Sequence, residues 1–252
     1  MKKTILLTND DGCLSVGITV LKERLSLKYD VYVVAPDRER SAISMALTLH
    51  HPLRINRKEK RLYAIDGTPA DCVNIAIQKI LPKKPDFIIS GMNLGENLSE
   101  DIFFSGTVGG AFAGLLYGIP SMAVSLIADH DEEGNPVFNP DSGAEIADKI
   151  LSKLLKVKPD PVVYNVNIPY RHNGNVTPTS LGSKRYKPQI VEKRDPRGKR
   201  YYWIGTGDPD YRAERGTDIW AIKHDRVSIT AVHYDLNSVK YKKNITGLFD
   251  EI

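Results

Sequence analysis

Short apolar runs alternate with amphipathic stretches along the first two thirds of the chain, and no other feature limits its fold so severely. Thr4 to Thr8 and Val31 to Ala35 are apolar without polar alternation, the pattern of strands covered on both faces in a parallel sheet. Between them Leu14, Ile18, Leu21 and Leu25 recur at helical spacing and mark one face of a helix. Phe87 to Ser90, Met122 to Leu126 and Val162 to Val166 supply further strands. Helices are expected between them at Ala70 to Ile80, Ser105 to Tyr117 and Ser142 to Leu155, the last with Ile146, Ile150 and Leu154 on one stripe. Strand, helix and strand in repeated order predict an α/β fold, an open and mostly parallel sheet whose binding sites lie in loops beyond the carboxyl ends of its strands.

The remainder reads differently. From Thr177 to Tyr202 the chain is rich in Lys, Arg, Pro and Gly, and Tyr201, Tyr202 and Trp203 follow one another. Gln189 to Lys193 and Lys199 to Ile204 are expected as the arms of a hairpin around Asp195-Pro196-Arg197-Gly198, free to close a lid or exchange with a partner subunit. Val227 to Val232 predicts one more strand, and Tyr241 to Ile252 a tail of little periodicity.

At 252 residues, 41% apolar and 26% charged, the chain has the composition of an ordinary globular protein. No run reaches the roughly 18 apolar residues of a membrane helix, and the N-terminus meets Asp10 too early for a signal peptide, so a cytoplasmic location without membrane association is expected. Two cysteines, Cys13 and Cys72, cannot build a disulfide framework, and reduced thiols are expected. The excess of 35 basic over 31 acidic side chains does not demand a nucleic-acid partner and suits an anionic small substrate equally well.

Polar signatures stand where the fold class places sites: Asn9-Asp10-Asp11-Gly12 after the first strand, Asp37 to Ser44 after the second, and Gly91-Met92-Asn93 after the Phe87 strand. Asp10-Asp11-Gly12 reads either as a turn and helix cap or as two carboxylates swung toward one hard cation, with a hydroxyl from Ser41 and an amide oxygen from Asn93 completing the shell. For Ser41 a loop and cap role competes, and for Asn93 a local Asx turn. Ser105, Gly106 and Thr107 precede a small-residue helix whose free amide hydrogens and two hydroxyls could cradle phosphate, or serve only as a cap. The lysine-containing nucleotide P-loop fingerprint is absent, and the histidines show no zinc-ligand spacing. The basic arm and the Tyr201 to Trp203 run also admit a non-catalytic module that binds nucleotides or single-stranded nucleic acid, with these aromatics stacking on bases or packing against a subunit.

Several ordered motifs together resemble the SurE family of stationary-phase survival proteins: TNDDG at Thr8 to Gly12, Arg40-Ser41, GTPADCV at Gly67 to Val73, SGMNLG at Ser90 to Gly95, SGTVGGA at Ser105 to Ala111, VNIP at Val166 to Pro169 and GTD at Gly216 to Asp218. The resemblance implies a Rossmann-like three-layer core over residues 1–176 and, over 177–252, a β-hairpin arm for subunit contacts with C-terminal elements returning toward the core. It implies one divalent metal per subunit, Mg2+ or Mn2+, on Asp10, Asp11, Ser41 and Asn93; our own reading puts Asn93, Ser105, Gly106 and Thr107 on the phosphate and makes Asp10, Asp11 and Asn93 catalytic, with either aspartate open as the proton acceptor. The implied activity is hydrolysis of nucleoside monophosphates at the 5′ position, in some members also at the 3′ position or on polyphosphate. We expect metal-activated water as the attacking group, an aspartate nucleophile being the other route. A homodimer or homotetramer with exchanged arms is the implied assembly. The chain departs from the family pattern at Ala42, in its Gly110-Ala111 helix, at Asp225-Arg226 and at Ala231.

Overall fold

The computed structural model describes residues 2–187, 189–205 and 210–237. The first strand, β1 (Thr4–Thr8), is buried along its whole length, with Ile5 and Leu7 in one apolar cluster and Leu6 in the other. That split is the two-residue period of a strand with cover on both faces. Helix α1 (Val16–Ser26) follows and buries Ile18, Leu21 and Leu25. Leu14, expected on the same stripe, is instead exposed, because Asn9 to Ser15 form a turn in which the Ser15 amide donates to the Gly12 carbonyl. Next come β2 (Asp30–Pro36), a hairpin of β3 (Ile55–Glu59) and β4 (Leu62–Ile65), and α2 (Pro69–Ile75). Thr68 caps α2 in a reciprocal box with Asp71, with Pro69 in the first turn. The helix expected to run to Ile80 changes there to a π-helical turn, Ala76–Ile80.

β5 (Phe87–Leu94) outruns the expected strand by four residues and shifts register between Gly91 and Asn93. It leads through a 3-10 turn, Ser99–Phe103, into α3 (Gly106–Leu116) and β6 (Ser121–Ile127). A small hairpin, β7 (Asp129–His130) with β8 (Pro136–Val137), precedes α4 (Pro140–Val157) and β9 (Val163–Pro169). Beyond these lie β10 (Val176–Thr179), β11 (Ser183–Arg185), β12 (Gln189–Arg194), β13 (Arg200–Gly205), β14 (Asp210–Arg212), α5 (Asp218–Ile222) and β15 (Val227–Val232). The Tyr241 to Ile252 tail lies outside the described residues.

Nine strands form the main sheet in the order β10-β15-β9-β6-β5-β1-β2-β4-β3. From β9 to β4 every neighbour is parallel; β3 runs antiparallel to β4 and β15 to β9, while β10 pairs parallel with β15. Helices α1 and α4 cover one face and α2 and α3 the other, which makes the three-layer Rossmann-like fold. β12 and β13 pair as an antiparallel hairpin around Asp195, whose carbonyl accepts the Gly198 amide at 2.9 Å. This is the expected arm. The chain leaves β1 toward β2 on one side and later returns to β5 on the other, so the carboxyl end of β1 is the switch point of the sheet.

Candidate active site

At the switch point, Asn9 stiffens the turn after β1 by donating from its amide nitrogen to the Gly12 carbonyl at 2.9 Å and to the Ser15 hydroxyl at 2.8 Å. Gly12 sits at φ +102°, where a side chain would be strained, and this conformation lets the chain double back directly after the two aspartates. The loop after β2 is fastened on top, the Arg40 amide donating to the Asp10 carbonyl at 2.6 Å.

Asp10 is buried against the start of α3. The Thr107 hydroxyl donates to its carboxylate, and a Cβ added to Gly106 would lie 2.8 Å from its Oδ2 and 2.9 Å from its own Cβ. Any side chain at Gly106 would push the helix off the aspartate. Burial raises the Asp10 pKa, against hydrogen bonds from Thr107 that lower it. Asp11 is pushed up to about 6, first by burial and then by the charges of Asp10 and Glu39, while a hydrogen bond from the Leu94 backbone opposes the shift. Leu94 thereby brings the end of β5 beside Asp11. Its neighbour Asn93 donates from its amide nitrogen to the Gly95 carbonyl at 2.9 Å, which leaves the Asn93 carbonyl oxygen as the end open to a ligand.

Asp10 and Asp11 thus lie together, with the backbone of Leu94, next to Asn93, beside Asp11. Ser41 stands apart in one respect. It is exposed, and its hydroxyl donates to the Glu39 carboxylate at 2.8 Å; Glu39 is in turn the nearby charge felt by both aspartates. Of the expected phosphate groups, Ser105 caps α3 by accepting the Val108 amide at 3.1 Å. Thr107 is fully buried with its hydroxyl on Asp10, while Gly106 lies between them at the first turn.

The arrangement suits a hard cation. Asp11 Oδ2 and Asn9 Oδ1 are buried oxygens without a hydrogen-bond partner, a condition that destabilises a folded protein unless something positive or hydrogen-bearing meets them. Neighbouring carboxylates that raise one another's pKa are relieved in the same way. No group of three or more His, Cys, Asp or Glu side chains converges among the described residues, so a donor set here draws on hydroxyl and amide oxygens besides the two aspartates. Sequence reading gave Asn9, Glu39 and Arg40 no chemical role. Asn9 looked like part of a turn, and Glu39 and Arg40 like a solvated charged loop. The only available signal was position, directly after β1 and β2. Both cysteines are buried, and burial raises both thiols, which leaves neither as a nucleophile.

Comparison with known proteins finds relatives along nearly the whole chain. A family model described as survival protein SurE matches residues 5–188. The chain is 46% identical over 237 residues to the 5′-nucleotidase SurE of Geobacter sulfurreducens, covering 93% of this chain and 89% of that protein. With the 5′-nucleotidase SurE of Caldanaerobacter subterraneus subsp. tengcongensis it shares 43% identity over 254 residues, 98% of this chain and 97% of the other. The crystal structure of the SurE protein from Aquifex aeolicus superposes with a TM-score of 0.83 at 40% identity, covering 97% of this chain and 99% of that one. With the acidic switch-point turn, the capped glycine-rich helix and these relatives in agreement over nearly its whole length, the chain belongs to the SurE family.

Proposed function

We propose that this protein hydrolyses nucleoside 5′-monophosphates to nucleoside and inorganic phosphate. The observation that carries the reading is the apposition of Asp10 to Gly106 and Thr107, which sets an acidic pair against the positive end of a helix eleven residues long. A cation and a phosphate need just these two half-sites side by side. The relatives named 5′-nucleotidase give the substrate class.

Asp10, Asp11, Asn93 and Ser41 would hold one Mg2+ or Mn2+, Ser41 by turning its hydroxyl away from Glu39. When bound, such an ion neutralises phosphoryl oxygens and lowers the pKa of water. The Gly106 amide and the Ser105 hydroxyl orient the phosphate, the second amide hydrogen of Asn93, not used on Gly95, steadies another of its oxygens, and Thr107 contributes by fixing the Asp10 carboxylate. Asp10 and Asp11, the two adjacent carboxylates at the switch point, are the groups that would take the proton of the attacking water. We further propose that residues 1–176 carry this site and that 177–252 supply subunit contacts. The β12–β13 hairpin supports the second part, since Ile190, Tyr202, Trp203 and Ile204 are all exposed on it.

Phosphate release from AMP, GMP, 3′-AMP and polyphosphate with Mg2+, Mn2+ or chelator tests the reading. We expect cation-dependent turnover of the 5′-monophosphates, and a loss of at least about a thousandfold in Asp10→Asn. Nucleotide binding without turnover under any divalent cation would leave a binding module instead.

A further inference from the structure

Between Asn93 and Ser105 the site has a wall assembled by one chain of contacts. Glu96 accepts from the Tyr211 hydroxyl at 3.0 Å and from the Lys184 ammonium at 3.3 Å. Lys184 also donates to both carboxylate oxygens of Asp101 at 2.9 Å, and the Tyr186 hydroxyl donates to the same carboxylate. The Asp101 carbonyl accepts the amides of Phe104 and Ser105 at 3.0 Å, which closes the chain at the helix cap. Burial pulls the Lys184 pKa down, but the hydrogen bond and charge of Asp101 and the charge of Glu96 outweigh it, so the residue stays a cation and the wall stays tied.

Phe104 is the odd member of this wall. Its backbone is pinned on both sides, the amide to Asp101 and the carbonyl to the Ser44 amide at 2.9 Å. Its ring meets Tyr186 edge to face, with centroids 5.7 Å apart at 76°, yet it is 57% exposed. The contact with Tyr186 leaves more than half of this large apolar side chain in solvent, immediately before Ser105. The other two rings of the wall are already engaged, since Lys184 lies 5.4 Å from the centroids of both Tyr186 and Tyr211. Tyr201, Tyr202 and Trp203, which the sequence left to stack on bases or pack against a subunit, stand on the separate β12–β13 hairpin, opposite Lys193, Glu192 and Val191.

We propose that Phe104, braced by Tyr186, is the platform on which the nucleobase of the substrate stacks. The inference rests on the reading that phosphate binds at the start of α3. Phe104 directly precedes Ser105, so a phosphate held on Ser105 and Gly106 would have this exposed ring on the adjoining residue. A flat π surface without hydrogen-bonding groups accepts any base, so the platform favours nucleotides over simple phosphate esters while discriminating little among bases.

The test compares AMP with ribose 5-phosphate, which keeps sugar and phosphate but lacks the base, for wild type, Phe104→Ala and Phe104→Trp. In F104A we expect kcat/KM for AMP to fall about tenfold, mainly through KM, a stacking contribution of ordinary size. The loss should be at least about fivefold larger than for ribose 5-phosphate, and F104W should restore AMP turnover. On rapid mixing in Mg2+, the extra indole fluorescence of F104W should be quenched by AMP and not by ribose 5-phosphate. Equal losses for the two substrates, or no loss, would overturn the platform while leaving the hydrolysis intact. Quenching of F104W by AMP in a protein that turns over neither compound would do the reverse.

Discussion

The acidic pair sets the behaviour of the site at the scale of single residues. Asp11 titrates at about 6 in the folded protein against an ordinary 3.8, and Asp10 is shifted the same way, both mainly by burial. This pair therefore binds more protons in the folded state than in the unfolded chain between about pH 4 and 6, and its contribution to stability falls as pH rises through that window. In chelator, the midpoint of thermal unfolding should drop by roughly a few degrees across it. Asp11→Asn should flatten that fall, and added Mg2+ should raise the midpoint more at pH 7 than at pH 5 because the cation needs the ionised pair. A melting profile independent of pH and Mg2+ would contradict this account. Asp10, Asp11 and Asn93 were legible in the sequence because each is a hard donor after a recognisable strand. Asn9 was not, since the orphaned Oδ1 that makes it notable arises only when the turn folds and buries it.

Secondary-structure elements were legible wherever burial imposed a pattern. β1, β2, β6 and α4 follow their apolar signatures closely, whereas β3, Ile55–Glu59, is exposed at every position and carries no signature to read. Helix α5 has only five residues and escaped for want of a full stripe. Helix α3 shows why composition matters more than periodicity at close contacts. A Cβ on Gly109 would come within 2.3 Å of the Ser44 carbonyl oxygen, a backbone atom that cannot rotate away. Gly109→Ala should therefore displace the loop that carries Ser41 and Arg40, destabilising the protein by about 1–3 kcal/mol. Phosphate release should fall by more than the lost stability accounts for, and chemical denaturation alongside kinetics at low temperature separates the two effects. Unchanged stability and activity would mean that loop and helix are looser than this packing requires.

For the whole molecule, the β12–β13 hairpin projects large apolar side chains that no other part of the described chain covers, Ile204 being 80% exposed. If a second copy covers them, Ile204→Glu should shift the elution and scattering mass from an oligomer toward the monomer, with the α/β core still folded by circular dichroism. A wild-type protein that is already monomeric would remove this reading of the arm. Among the described residues no helix is long and apolar enough to cross a membrane. The sequence by itself determined the layer architecture and the residue types at the switch point, because two-sided burial and strand-end position leave local marks in the chain. Only the tertiary structure decided that Thr107 donates to Asp10, that the loop after β2 folds down on the Asp10 carbonyl, and that Lys184 joins Glu96 to Asp101 beside Phe104. Such contacts join residues up to 97 positions apart, as Thr107 and Asp10 are, and which of them form depends on the packing of whole layers rather than on any local run of sequence.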